Sequence, residues 1–129
     1  MTKSSKPLSG RTYLILEDEY LIASDLLIIL EGAGAKVYGP ISDVRNALEI
    51  LKGTSLTLDA AVLDINLAGD MVYPIASLLM KRGTPFIFAT GYECSPVPEE
   101  FKQAPCLSKP TLEADLISAL LSVSAALPN

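Results

Sequence analysis

The chain has 129 residues, which is the usual length of one domain, and half of its residues are hydrophobic, which is enough for a sizeable core. Its net charge is −5, and an acidic surface repels phosphate backbones, so nucleic acid is not expected as a partner. The sequence contains no histidine, which excludes Ser-His and Cys-His catalysis and leaves a zinc site short of ligands.

Apolar runs of strand length alternate with helical patterns along the chain. Residues 1–10 are expected to be a flexible lead-in, residues 11–127 to form the single domain, and no output domain is expected. The predicted strands are 12–16, 36–40, 59–65, 85–90 and 106–108. The predicted helices lie within 19–35, from Ser42 to Lys52, and at 73–83 and 111–127. This order predicts an α/β fold, in which a five-stranded parallel sheet has helices on both faces.

The connection between the last two strands breaks the alternation. Residues 91–105 contain three prolines and little periodicity, so the helix expected there, the fourth, is predicted to be reduced or absent. No apolar run is long enough to span a bilayer, and the start of the chain lacks the apolar core of a signal peptide. A cytoplasmic location without membrane contact is therefore expected. Cys94 and Cys106 lack metal-ligand spacing, and two free thiols are the simplest prediction.

Chemically active side chains follow four of the five strands. Since the carboxyl ends of parallel strands meet at one edge of the sheet, these side chains are expected to lie together. They are Glu17, Asp18 and Glu19 after the first strand, Asp64 and Asn66 after the third, Thr90 after the fourth, and Lys109 after the fifth.

Clustered carboxylates repel each other unless a cation lies among them. Mg²⁺ suits such an all-oxygen site, and Lys109 adds a fixed positive charge on the other side. The two cations together favour an incoming phosphoryl group. Asp64, on the middle strand, is then the natural nucleophile for an acyl phosphate, and Thr90 can donate a hydrogen bond to the phosphoryl oxygens.

Four motifs in this order, "LILEDE", "VLDINL", "FIFATGY" and "LSKP", resemble response-regulator receiver domains of two-component signalling. The resemblance implies a flavodoxin-like, doubly wound sheet of strand order 2-1-3-4-5. It also implies Mg²⁺-dependent phosphoryl transfer from a histidine kinase or phosphotransfer protein, and a change of affinity for a downstream protein target. Such a domain is not an enzyme with a separate substrate, because it catalyses only its own phosphorylation and dephosphorylation.

By position in these motifs, Asp64 matches the phosphoacceptor, and Glu17 and Asp18 match the acidic pair that binds the metal. Asn66 matches the residue whose backbone carbonyl completes the metal ligands. The resemblance assigns Thr90 as the switch hydroxyl and Lys109 as the catalytic lysine, followed by a cis peptide bond.

Two features depart from most receivers. Cys106 stands where these domains carry a switch aromatic, and helix 4 is predicted to be short or missing. "PFIFATGY" resembles the FATGUY subgroup of single-domain receivers, which departs in the same ways. Tyr92 is then a candidate to carry part of the signal. On the first helix, Leu21 and Ile28 lie outside the strict core stripe and are candidates for docking the kinase.

Several alternatives remain open. A phosphate sink that drains a kinase cannot be separated by sequence from a regulator, and a binding module that never takes phosphate is a further possibility. A haloacid-dehalogenase-type phosphatase would require a second acid two residues after Asp64, where Asn66 stands. Dinucleotide binding fails because Val37 replaces the third glycine of the required motif.

Overall fold

The computed structural model describes residues 6–53, 57–91, 94 and 97–125. The strands are β1 (Thr12–Leu16), β2 (Lys36–Ile41), β3 (Ala60–Leu63), β4 (Asn66–Leu67), β5 (Asp70–Met71), β6 (Phe86–Thr90) and β7 (Cys106–Ser108). The helices are α1 (Tyr20–Gly32), α2 (Val44–Gly53), α3 (Tyr73–Lys81) and α4 (Glu113–Ala125). Within the described ranges, no helix has both the length and the apolarity needed to cross a membrane.

Five parallel strands form the main sheet in the order β2-β1-β3-β6-β7. With β6 and β7 counted as the fourth and fifth strands, this is the predicted order 2-1-3-4-5, and the doubly wound fold is confirmed. The short strands β4 and β5 form a separate antiparallel hairpin directly after β3. The winding reverses between β1 and β3, so the ends of these two strands define the functional edge.

Side-chain alternation divides the core into two layers. On one face of the sheet, Leu14 and Leu63 pack with buried residues of α2 and α3. On the other face, Ile15 and Val62 pack with buried residues of α1 and α4. All four residues of β3 are buried, which explains why that strand is a continuous apolar run rather than an alternating one.

The folded part of the chain begins before residue 11. Residues 7–10 form a turn, in which Leu8 is fully buried in the α1–α4 layer and donates its backbone N–H to Ala33 O at 2.8 Å. This end of the expected lead-in therefore contributes to the core, and a lone leucine among polar residues carried too little periodicity to reveal it.

The connection between β6 and β7 contains only one turn of 3₁₀ helix, Glu99–Phe101, among its described residues. The prediction that the helix between the last two strands of the sheet is reduced is thus confirmed. Phe101 is 3% exposed and holds the turn against the sheet. Its ring stacks on Tyr73 at 5.6 Å and meets Phe86 and Phe88 edge to face. An aromatic cluster thereby covers a face that a helix would otherwise protect.

The prediction of free thiols is wrong. Cys94 and Cys106 form a disulfide with a Cα–Cα distance of 6.0 Å. The spacing of the two residues indicates no metal site, but it does not reveal that β7 runs beside the start of the connection. That proximity is a property of the folded sheet.

We expect Phe101→Ala to lower the free energy of unfolding by about 3 kcal/mol, because it removes a buried ring and leaves a cavity under the connection. Phe101→Leu, the matched control, keeps most of the apolar volume and should cost about 1 kcal/mol. Urea denaturation of the three proteins measures both values. Equal losses in the two variants would mean that the ring does not anchor the connection.

Candidate functional site

Backbone hydrogen bonds fix the positions of the residues that follow β1 and β3. Asp64 donates its N–H to Leu16 O at 3.0 Å, and Glu17 donates its N–H to Ile41 O at 3.0 Å. These bonds continue the pairing of the sheet beyond its last strand residues. The carboxylates of Glu17 and Asp64 therefore emerge at the same edge of the sheet, as predicted.

The ammonium group of Lys109 lies between these two carboxylates. Its Nζ is 2.6 Å from Glu17 Oε1 and 3.0 Å from Asp64 Oδ2. The side chains of Lys109, Glu17 and Asp64 are 10%, 1% and 8% exposed, so solvent screens these ion pairs weakly. The backbone N–H of Lys109 bonds to Thr90 O at 2.9 Å, which couples the lysine to the end of β6.

Asp18 completes a group of three carboxylates. One oxygen from each of Glu17, Asp18 and Asp64 lies within 4.8 Å of the other two. With all three ionised, one ammonium leaves two negative charges uncompensated. The Lys109–Asp64 contact has hydrogen-bond geometry, whereas no donor in the described parts of the chain is aligned with the buried Glu17 Oε1. A divalent cation with oxygen ligands fits this charge and donor set.

Burial raises the pKa of Asp64 from 3.8 to about 6, and the negative charge of Glu17 acts in the same direction. The hydrogen bond from Lys109 lowers the pKa of Asp64, but by less than burial raises it. Burial by itself would lower the pKa of Lys109, but its contacts with Glu17 and Asp64 outweigh burial, and the pKa is raised. Lys109 therefore remains a cation, while Asp64 is held in an environment that disfavours its charge.

A polar cavity of about 450 Å³ opens at this edge of the sheet. Asp18, Asp64, Asn66 and Lys109, four of the predicted site residues, line it. Asn66 Oδ1 accepts a hydrogen bond from Gly69 N–H at 2.9 Å, so its side chain shapes the β4–β5 turn. Asp64 is thus reachable from the cavity although its residue is only 6% exposed.

Two predicted residues lie at the site without lining this cavity. Glu17, 2% exposed, lies behind Lys109, and Thr90 is fully buried at the end of β6, next to the cavity residue Gly91. The bond between Lys109 and Pro110 is cis, as the resemblance implies. Tyr92 lies outside the described residues, so its predicted role is not addressed by the structure.

Leu21 and Ile28 project from α1, and 76% and 67% of their surfaces are exposed. They are seven positions apart in the sequence, about two helical turns, so both lie along one side of the helix. Tyr20, which is 81% exposed at the start of the same helix, was not singled out by the sequence, because its position before the apolar stripe resembles an ordinary helix start.

Sequence reasoning also missed Gly69 and Gly91 as wall residues of the cavity. Gly91 directly follows Thr90, and Gly69 lies three residues after Asn66. This closeness to a predicted site residue is the only signal in the sequence that could have indicated them. Neither has a side chain to mark it.

The chain is thus an α/β domain with a doubly wound sheet, and the functional edge of that sheet carries three carboxylates and one lysine. No protein-family model matches the chain, and no curated protein matches it. Solved structures do match. SdrG from Sphingomonas melonis Fr1 is 36% identical with a TM-score of 0.76, and the match covers 91% of this chain and 97% of that one.

A second structure, the BeF₃-activated conformation of SdrG from Pseudomonas melonis Fr1, is 34% identical with a TM-score of 0.72 and coverage of 95% and 99%. A response regulator receiver protein from Sinorhizobium medicae WSM419 is 25% identical with a TM-score of 0.78 and coverage of 92% and 98%. The chain belongs to the response-regulator receiver domains.

We expect Asp64→Asn to stabilise the metal-free protein above pH 6 by on the order of 2–3 kcal/mol, because the asparagine removes a carboxylate whose ionisation the fold opposes. The pKa of Asp64 is raised on folding from 3.8 to about 6. The free-energy cost of ionised Asp64 in the folded protein is therefore absent below pH 3.8 and complete above pH 6. Denaturation in a chelator at pH 4 and pH 7.5 measures it.

The stabilising effect should be mostly lost at pH 4, where Asp64 is protonated in the folded state and only partly ionised in the unfolded state. At pH 7.5 it should shrink when Mg²⁺ is added. A variant that is equally stabilised at both pH values would owe its stability to packing rather than to charge.

Proposed function

We propose that this protein is a stand-alone receiver that accepts a phosphoryl group on Asp64 from a histidine kinase or phosphotransfer protein and thereby changes its affinity for a downstream protein. The carrying observation is that the Asp64 carboxylate lines the polar cavity while its other contacts are with Lys109 and the acidic group. A merely structural carboxylate at a strand end would be expected to point into solvent or cap a helix.

In the proposed transfer, an oxygen of the ionised Asp64 attacks the phosphorus of a phosphohistidine. The new oxygen–phosphorus bond forms as the phosphorus–nitrogen bond breaks, and the electron pair goes to the imidazole, whose nitrogen then takes up a proton. Lys109 Nζ, 3.0 Å from Asp64 Oδ2, is close enough to exchange part of this contact for an oxygen of the incoming group. Thr90 is assigned as the hydroxyl that donates to another phosphoryl oxygen.

We assign Glu17, Asp18, Asp64 and the backbone carbonyl of Asn66 to a Mg²⁺ site. When bound, Mg²⁺ supplies neutralisation of charge on the phosphoryl oxygens. Support comes from the two uncompensated negative charges of the acidic group and from the buried Glu17 Oε1 that has only its ion pair with Lys109. Asp18, which is exposed, is the residue of this set best placed to meet an ion that arrives from solvent.

Phosphorylation would replace one negative charge with roughly two at the same edge, in contact with Lys109 and close to Thr90. The lysine would then be drawn from Glu17 toward the phosphoryl group. Because the backbone N–H of Lys109 is bonded to Thr90, such a movement couples the ends of β6 and β7. The chain catalyses only its own phosphorylation and dephosphorylation under this proposal, in the cytoplasm, where the donor kinases keep their phosphorylated histidines.

Membership of the FATGUY subgroup also belongs to this proposal. It is supported by the "PFIFATGY" segment, by Cys106 in place of an aromatic residue, and by the single 3₁₀ turn between β6 and β7. The part of Tyr92 in passing on the signal stays a prediction.

Incubation with acetyl phosphate and Mg²⁺ should give one phosphoryl adduct on Asp64, because the cavity presents its carboxylate beside a cation. Peptide mass spectrometry locates the adduct, and Asp64→Asn is the control that should carry none. Replacing Mg²⁺ with a chelator should reduce the yield by at least about tenfold. An adduct of equal yield in Asp64→Asn, or at another carboxylate, would contradict the proposal.

Leu21→Ser/Ile28→Ser should slow phosphoryl transfer from the partner kinase on the order of tenfold, because it removes two exposed apolar side chains from the proposed docking side of α1. Phosphorylation by acetyl phosphate should not change, since no docking is involved. Ile50→Ser/Met80→Ser is a matched control, with exposed apolar residues on α2 and α3. Equal transfer rates in the two double variants would exclude this side of α1 as the docking surface.

A further inference from the structure

The short hairpin after β3 carries Asn66, whose main-chain carbonyl is one of the proposed metal ligands. Its strands β4 and β5 are joined by a two-residue turn, Ala68–Gly69. Leu67 pairs with Asp70 next to the turn, and Asn66 pairs with Met71 one position further away. The conformation of the turn therefore determines how Asn66 is held at the edge of the phosphoryl cavity.

The register of the hairpin directs the carbonyl of Asn66 away from β5. In an antiparallel pair, residues that exchange backbone hydrogen bonds alternate with residues that do not. Val72 donates its N–H to Ile65 O at 2.8 Å, so the pair before Asn66–Met71 is hydrogen-bonded, and so is the pair next to the turn. The Asn66–Met71 pair between them is of the other kind. The main-chain carbonyl of Asn66 is thus not used by the pairing of the two strands.

Two kinds of contact hold the hairpin in this position. Ile65, Leu67 and Val72 are buried in the core layer of α2 and α3. The side chain of Asn66 closes the turn, because its Oδ1 accepts a hydrogen bond from Gly69 N–H at 2.9 Å. Asn66 therefore fixes the turn with its side chain and directs its main-chain carbonyl away from the partner strand. A change in the turn must move both groups.

The turn is strained at Ala68. Its φ is 54°, and the φ of Gly69 is 94°. Two consecutive positive φ values are typical of the type I′ turn of two-residue hairpins, which prefers Asn and Gly. Glycine adopts such values readily, whereas the Cβ of alanine disfavours them. Among the residues that the structure describes, Ala68 is the only non-glycine residue with a positive φ, so this strain lies beside the candidate site.

We propose that the Ala68–Gly69 turn positions the carbonyl of Asn66 for Mg²⁺ and that the conformational preference of residue 68 sets the affinity of the metal site. The proposal rests on the proposed function, which assigns that carbonyl to the metal. Ala68 is exposed, whereas Gly69 and Asn66 line the cavity, so Ala68 acts through Asn66 as a positioning residue. When the turn opens, the hydrogen bond between Gly69 and Asn66 is lost and the carbonyl is displaced. The apparent affinity for Mg²⁺ then falls with the fraction of molecules in which the turn is formed.

The test compares the Mg²⁺ affinities of Ala68→Asn, Ala68→Val and the wild-type protein, all unphosphorylated. The two new side chains are uncharged and similar in size, but asparagine tolerates positive φ and β-branched valine does not. Ala68→Val should bind Mg²⁺ about fivefold more weakly, and Ala68→Asn should bind it at least as tightly as the wild type. Amide NMR titration gives the affinities. Hydrogen exchange of the Gly69 amide should be faster in Ala68→Val and unchanged or slower in Ala68→Asn.

Leu30→Val is the control for a general loss of stability, because Leu30 is buried in the other core layer, that of α1 and α4. It should leave the affinity for Mg²⁺ unchanged. Equal affinities in Ala68→Val, Ala68→Asn and the wild type would overturn the proposal, as would a wild-type protein that does not bind Mg²⁺. A weaker affinity in Ala68→Val with unchanged exchange of Gly69 would also overturn it.

Failure of the proposed function gives a different result. Asp64 would then take no phosphoryl group from acetyl phosphate, in the wild type as in the variants. The order of the Mg²⁺ affinities is measured without phosphorylation, so an affinity that follows the preference of residue 68 for positive φ would still support positioning by the turn.

Discussion

The arrangement of this domain's functional edge depends on one ammonium group, Lys109 Nζ, held between Glu17 and Asp64. Without it, the two buried carboxylates that directly follow the adjacent strands β1 and β3 would repel each other, and solvent would screen this repulsion poorly. With it, Glu17 and Asp64 can lie close together, but their negative charge is only partly neutralised, because Asp18 adds a third carboxylate. The same imbalance that makes the edge costly to fold makes it receptive to a divalent cation and then to a phosphoryl group.

Much of this edge could be predicted from the sequence, because its chemistry is tied to strand ends. A parallel sheet brings the residues after β1, β3, β6 and β7 to one side whatever the details of packing. Asp64, directly after four buried residues, was the clearest case. Position along a strand does not predict burial of individual side chains, however. Thr90 and Glu17 lie behind the cavity wall rather than on it, and that depends on how far each strand extends past its neighbour.

Features that depend on contacts between distant segments could not be predicted in this way. The Cys94–Cys106 bond requires that the chain after β6 return along β7, and no local pattern carries that information. Leu8 packs under Ala33 and the layer of α1 and α4, although its neighbours in sequence are typical of a tail. The ring of Phe101 anchors a connection in which the described residues form only one 3₁₀ turn. In each case a single residue makes the tertiary contact, whereas periodicity is a pattern over many residues and cannot reveal one contact.

Both outer strands of the main sheet are poor templates for a further strand. Strand β2 is interrupted by Gly39, at φ 99°, and Pro40, and its pairing with β1 shifts between Leu14 and Leu16. Strand β7 has only three residues and is soon followed by Pro110. Short, irregular or proline-bearing edges discourage backbone pairing with other chains. Recognition of this protein must therefore rely on side chains of its helices and loops, so that binding specificity can change by surface substitution while the sheet stays intact.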